Sequence, residues 1–248
     1  LESPCNPHGY VLDVPAICRA AHQNGLTVIL DSTIATPFLN QPLRRDDPAE
    51  RPDFVIHSYT KDITGSGATT AGCVIARNER MFIPKGESVT TTDLSGREVT
   101  YRWTESLFWN VFYVKGAFLD ADKAFEVISG SRTLELRMIR KTISTTVLAR
   151  FLHSHPDIDV KCNALEDNEN AALRRQILRY ELPAPLFTID FEKAQLDRAT
   201  FTRFFDCLEP AFGHQVSLGQ CNTVVLCPAL TSHSEMSADE LREARITP

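Results

Sequence analysis

The sequence predicts an α/β fold, a mostly parallel sheet in a large domain followed by a smaller α+β domain, on three observations. Short apolar, β-branched runs recur at residues 26–31, 53–57 and 72–76, each closing on polar or glycine-rich residues, as strands buried in a sheet do. A helical pattern with matching start and stop signals precedes the first run, and alternation of this kind places helices on the faces of a sheet. The composition, 43% hydrophobic and 23% charged over 248 residues, excludes disordered, collagenous and coiled-coil chains and leaves room for one large domain or two smaller ones.

Taken in order, residues 13–25 read as a helix. Asp13 can cap it, Pro15 fits its first turn, and Gly25 suits the left-handed residue beyond its end. Residues 26–31 then form a buried parallel strand with Asp31 at its carboxyl end, and 53–57 and 72–76 repeat the pattern. Residues 82–115, with Pro84, Gly86, Gly96 and an aromatic run from Trp103 to Tyr113, predict an irregular excursion over the surface that packs against another subunit. From Ala117 to His153 one long helix, or two joined near Gly130, leads out of the first domain, with Leu134, Met138, Thr142 and Thr145 at helical spacing. Strands near 158–162 and 186–191 and helices near 166–180 and 198–208 follow in α+β style. The expected domains are therefore 1–150 and 151–248.

With 26 basic and 32 acidic residues the net charge is −6, which argues against a nucleic-acid partner. No apolar run is long enough to span a membrane, and Leu1-Glu-Ser-Pro4 is not a secretory leader. A cytoplasmic protein is expected. Seven cysteines without paired spacing argue against zinc or a disulfide framework, and most read as buried, inert thiols. A first residue other than Met, and a last residue Pro248 directly after a helical stretch, lead us to expect both ends to be cut: the large domain lacks its N-terminal part and the small domain its end.

In open α/β sheets ligands bind outside the carboxyl ends of the strands, so Asp31 and residues 58–61 should face one pocket. Lys61 in Ser58-Tyr-Thr-Lys61 is the strongest local signal, and three chemistries compete there with a plain surface cation. A phosphate loop fails, because residues 65–72 lack the Gly-Lys-Ser/Thr ending. An acyl-transferring Ser58 with Lys61 at S-x-x-K spacing lacks the Ser-Asp-Asn and Lys-Thr-Gly partners and stays a minor alternative. The third is a Schiff-base lysine with pyridoxal 5'-phosphate, which calls for a carboxylate at a neighbouring strand end to hold the ring nitrogen protonated. Asp31 is placed for that role, with a turn former as the competing reading.

Three segments carry a resemblance. Leu1-Glu-Ser-Pro-Cys-Asn-Pro7 resembles the E-S-P-x-N-P motif of the Cys/Met-metabolism pyridoxal-phosphate enzymes. Residues 31–43, Asp-Ser-Thr-Ile-Ala-Thr-Pro followed by Pro42-Leu43, are similar to their D-N-T-x-A-T-P-x-x-x-x-P-L. Asp53-Phe-Val-Ile-His-Ser-Tyr-Thr-Lys61 is similar to D-x-V-x-H-S-x-T-K. Weaker similarities continue through residues 133–138, 151–156, 217–219 and 228–234.

The resemblance implies a type I aminotransferase-like fold in a homo-oligomer, a homotetramer or dimer of dimers with shared active sites. It implies that Lys61 carries the cofactor, Asp31 pairs with its ring nitrogen, Ser58 and Thr60 hold its phosphate, Asn6 donates to its phenolic oxygen and Thr33 lines the ring. Ser217, in Ser-Leu-Gly219, would sit near the substrate carboxylate, with a turn serine as the competing reading. The implied reaction is γ-elimination or γ-replacement on a sulfur-containing or γ-substituted amino acid, in which the freed lysine acts as base on the α-proton. The family's phosphate-binding Gly-rich turn and ring-stacking tyrosine precede its E-S-P motif, and its carboxylate-clamping arginine follows the position of Pro248. The length of the 82–115 excursion resembles the O-acetylhomoserine sulfhydrylase branch, whereas Ser217-Leu-Gly219 resembles the synthase and lyase branches. A non-catalytic member of the family is the remaining alternative.

Overall fold

The computed structural model describes residues 1–231, 233–244 and 246. Helix α1 (Val14–Gln23) starts where expected, the Asp13 carboxylate accepting from the Ala16 N–H at 3.0 Å. It ends at Gly25, whose φ of +68° is the left-handed conformation glycine reaches without a Cβ penalty. The turn delivers the chain into β1 (Ile29–Asp31), and Val14, Cys18, Val28 and Leu30 pack helix against strand. A short helix α2 (Thr36–Leu39) separates β1 from β2 (Phe54–Ser58), which pairs parallel to it with Leu30 opposite Val55.

The first three residues also join this sheet. The Ser3 N–H donates to the Asp31 carbonyl at 3.0 Å and the Asp31 N–H to the Leu1 carbonyl at 2.8 Å, with Glu2 bridged parallel to Asp31. On the other side β3 (Gly72–Ala76) runs antiparallel to β2, Ser58 facing Gly72. Its position departs from the sequence expectation: Val74 and Ile75 are 40% and 39% exposed. The connection from Ser58 to Gly72 is only a looped turn, not a crossover helix, and a turn of that kind returns the chain antiparallel.

After helix α3 (Asn78–Met81), the excursion contains a regular hairpin, β4 (Ser88–Thr92) with β5 (Glu98–Arg102), turned at Gly96 with φ +84°. The aromatic run folds on itself: Trp109 meets Trp103 and Tyr113 edge to face, and its indole N–H donates to the Ile83 carbonyl at 2.7 Å. Tyr113 and Val114 nonetheless remain exposed.

Two helices follow, α4 (Ala121–Ser131) and α5 (Leu134–His153). Met138, Thr142, Thr145 and Ala149 form the buried stripe of α5, and Met138 packs with Val11, Ala35, Leu39, Ile177 and Leu178. The opposite face shows Leu136, Ile143, Val147 and Phe151. A second sheet pairs β6 (Asp159–Lys161) antiparallel with β7 (Thr188–Asp190), with helix α6 (Ala171–Ile177) between them. Helix α7 (Arg198–Asp206), a short parallel pair β8 (Gly213–His214) and β9 (Val224–Val225), and helix α8 (Ala238–Glu243) complete the described chain. No described helix is long and apolar enough to cross a membrane. Of the seven cysteines only Cys18 and Cys162 are buried, while Cys207 and Cys221 are exposed, so the expectation that most are buried is corrected: Cys207 lies at the C-terminal end of the helix Arg198–Asp206 and Cys221 in a bend, outside the packed clusters.

Candidate active site

The carboxyl ends of β1 and β2 are tied together by one relay. The Ser58 N–H donates to the Thr33 hydroxyl at 2.8 Å, and the Thr33 N–H donates to Asp31 Oδ1 at 2.9 Å. Thr33 thus acts as a strut that holds Asp31 and Ser58 beside each other. The resemblance expects Thr33 to line the ring face; in the structure its hydroxyl meets the Ser58 N–H between the strands.

Beyond Ser58 the chain winds through residues 59–63 and breaks from helical geometry at Lys61. The Lys61 ammonium donates to the Ser217 hydroxyl at 2.9 Å across 156 residues of sequence. The structure therefore brings Lys61 and Ser217 together. Among the described residues no carboxylate lies within ion-pairing distance of Lys61. Thr60 closes the base of the loop: its hydroxyl accepts from the Ala71 N–H at 3.1 Å and lies 3.3 Å from the Ala71 carbonyl. Asn6 is exposed in a turn and makes no hydrogen bond to Lys61, Ser58 or Thr60 among the described residues. Its link to the site runs through Glu2, whose carboxyl accepts from the Asn6 backbone and is pushed up by burial first and then by the neighbouring Asp31.

Several residues that shape the site carried no assigned role in the sequence. The Asp62 carboxylate, 1% exposed, pairs with Lys141 of α5 at 2.5 Å. Arg137, one turn earlier, donates to the Asp62 carbonyl at 2.6 Å, the Ile63 carbonyl at 3.2 Å and the Gly130 carbonyl at 2.8 Å. Their signal was the four-residue spacing of two cations on one helix face. Gly219 lies against the Lys61 backbone: a Cβ there would stand 2.6 Å from Lys61 Cα and carbonyl carbon. Alongside it, the Cys221 thiol reaches the Gly65 carbonyl at 3.7 Å.

His57, 3% exposed, is buried at the end of β2, and among the described residues neither its Nδ1 nor the Ser32 hydroxyl has a hydrogen-bond partner. Burial pushes its imidazole below the ordinary 6.5, with Asp31 and the Ser32 backbone pulling the other way. A histidine kept neutral in the fold must be protonated on unfolding once the pH is below the unfolded value, so its contribution is present above about 6.5 and is lost as pH falls. Between pH 7 and pH 5.5 the parent chain should therefore lose more stability to urea than the His57→Gln variant, by at most about 1.4 kcal/mol per pH unit. Parallel pH profiles for the two proteins would remove His57 as the titrating group.

Comparison with known proteins gives the family. The family model described as Cys/Met metabolism PLP-dependent enzyme matches residues 1–248. An L-methionine γ-lyase of Pseudomonas putida is 30% identical over 96% of the chain and 52% of its own length. An O-acetyl-L-homoserine sulfhydrylase of Corynebacterium glutamicum is 29% identical over 99% of the chain and 57% of its own length. The crystal structure of a cystathionine γ-lyase from Micromonospora echinospora superposes with a TM-score of 0.79 at 26% identity, over 99% of the chain and 56% of that structure. The chain spans about half the length of the curated relatives it matches. It belongs to the Cys/Met metabolism PLP-dependent enzyme family.

Proposed function

We propose that this member of the family carries the lysine-bearing core of an enzyme that eliminates or replaces the γ-substituent of an amino acid with pyridoxal 5'-phosphate. The observation that carries the reading is the Lys61 amine at the strand ends, held by a hydroxyl rather than a carboxylate, with Asp31 fixed at the end of the adjoining strand. The relatives that bear these reactions in their names support the substrate class.

The donor set fits the cofactor. The Lys61 amine can hold its aldehyde carbon, the Asp31 carboxylate its ring nitrogen, and Ser58 its phosphate. Thr60, engaged with Ala71, would serve the phosphate while shaping the loop, Thr33 would hold Asp31 in register, and Asn6 would approach the phenolic oxygen from the Glu2 side. When bound, the cofactor withdraws electrons from the α-carbon and makes its proton removable. Lys61 would be the base at Cα and, once it has handed that proton on and is neutral again, the base at Cβ, so that the γ-substituent could leave. Ser217 steers the Lys61 amine and faces the substrate carboxylate. Whether a thiol then adds, as in a sulfhydrylase-type transferase, or water completes an elimination rests on the same groups. An acyl transferase built on Ser58 is not favoured, because Lys61 hydrogen-bonds Ser217 instead.

The rest of the reading follows the family. The type I fold would continue into a smaller α+β domain from about residue 151, supported by the β6–β7 sheet with its own cluster of Ala149, Val160, Cys162, Ala164 and Leu165. Sites shared within a cytoplasmic homotetramer or dimer of dimers would supply the remaining phosphate and ring contacts, and the exposed residues Tyr113 and Val114 suit such packing.

The test is to add pyridoxal 5'-phosphate, reduce with borohydride and map the peptides. Label on the peptide containing Lys61 is expected. Absence of label on a folded protein, or label spread over surface lysines, would overturn the reading.

A further inference from the structure

The Asp62–Lys141 pair is placed oddly for a purely structural feature. Asp62 is bonded directly to Lys61 in the chain, it is 1% exposed, and Lys141 is 18% exposed at its side chain. Burial pushes the Asp62 carboxyl up, and Lys141, then Arg137, then Lys61 pull it back down. The loop's shape has a second brace, because Arg137 binds the Asp62, Ile63 and Gly130 carbonyls. A buried ion pair of this sort is also weak evidence for stability, since apolar replacements of the same size are often neutral or better. What the pair does settle is where the carboxylate points. Drawn 2.5 Å from Lys141 on α5, it leaves the neighbouring Lys61 amine to the neutral Ser217 hydroxyl.

We propose that Lys141 is a positioning residue for Lys61, acting through Asp62: it captures the one buried carboxylate adjacent to Lys61 and so keeps the amine from being locked into an ion pair. An amine in an ion pair is held protonated and cannot act as nucleophile or base. The charged groups facing Asp62 are Lys141 and Arg137 from α5 and Lys61 from its own loop, so with Lys141 gone Lys61 competes only with Arg137, whose guanidinium is committed to carbonyls.

This role rests on Lys61 being the reactive amine, but its test does not require the cofactor. Trace acetylation with acetic anhydride, read peptide by peptide across pH 6 to 10, reports how readily the Lys61 amine reacts. In Lys141→Met the rate at Lys61 is expected to fall about tenfold, with the pH midpoint displaced upward by about one unit. The double variant Asp62→Asn/Lys141→Met, which removes the freed carboxylate, is expected to return to within about twofold of the parent. Should Lys141→Met fail to fold by circular dichroism, Asp62→Asn alone carries the test, and its Lys61 must label at least as fast as the parent's. The proposal is overturned if folded Lys141→Met labels like the parent, if the double variant stays slow, or if Asp62→Asn slows labelling. A lower melting temperature with an unchanged Lys61 profile would mark the pair as structural only. Borohydride labelling with pyridoxal 5'-phosphate on the same proteins is read separately, so failure of the cofactor reading leaves this result interpretable.

Discussion

Lys61→Ala is expected to abolish borohydride-stable attachment of pyridoxal 5'-phosphate and to lower turnover of a γ-substituted amino acid by about a thousandfold or more in the intact protein, since a positioned general base alone contributes about 10²–10⁴. Stability should change by no more than about 0.5 kcal/mol, because the only hydrogen bond the side chain makes among the described residues is to Ser217. That asymmetry separates chemistry from folding. Lys61→Arg sharpens it: the charge and the reach to Ser217 are kept, yet a guanidinium does not give up its proton, so attachment and turnover should be lost equally. Label retained in either variant, or turnover within tenfold of the parent, would move the reaction to another residue.

The α/β core was legible because its signals are local. Asp13, Pro15 and Gly25 write the limits of α1 in capping chemistry, and β1 and β2 are continuous apolar runs that end on the polar residues of the site. The 82–115 hairpin was missed because its strands, rich in Thr and exposed on most positions, lack the apolar run that marks a buried strand. At the candidate site, strand-end position pointed to residues 31 and 58–61, and the family resemblance supplied their expected roles. The backbone contacts of Thr33 and Thr60 were not foreseen, because a hydroxyl beside a neighbouring strand meets that strand's backbone groups. Asp62, Lys141 and Gly219 were silent for another reason. Each acts through a contact with a segment about 80 to 160 positions away, and no period or cap in one stretch of sequence encodes such a meeting.

Gly219 supports the second large effect. Its φ of +104° is one that L side chains rarely adopt, and an added Cβ would stand 2.6 Å from Lys61 Cα and 2.7 Å from the Asp62 nitrogen, both backbone atoms that cannot turn aside. Gly219→Ala should therefore destabilise by about 2–5 kcal/mol, combining about 1–2 for the left-handed backbone with about 1–3 for overpacking. Gly86→Ala is the control, since Gly86 shares a positive φ of +86° but meets nothing within 4 Å, so only the backbone part should appear in its urea midpoint. One way to relieve the clash at Gly219 is to lift residues 217–220 off the loop. Relief of that kind would lower the cost toward that of Gly86→Ala while breaking the Ser217 to Lys61 hydrogen bond, and the Lys61 acetylation profile would then shift. A variant as stable as the Gly86 control with an unaltered Lys61 profile would mean that the segment does not rest on the lysine, and Ser217 would lose its place in the site with it.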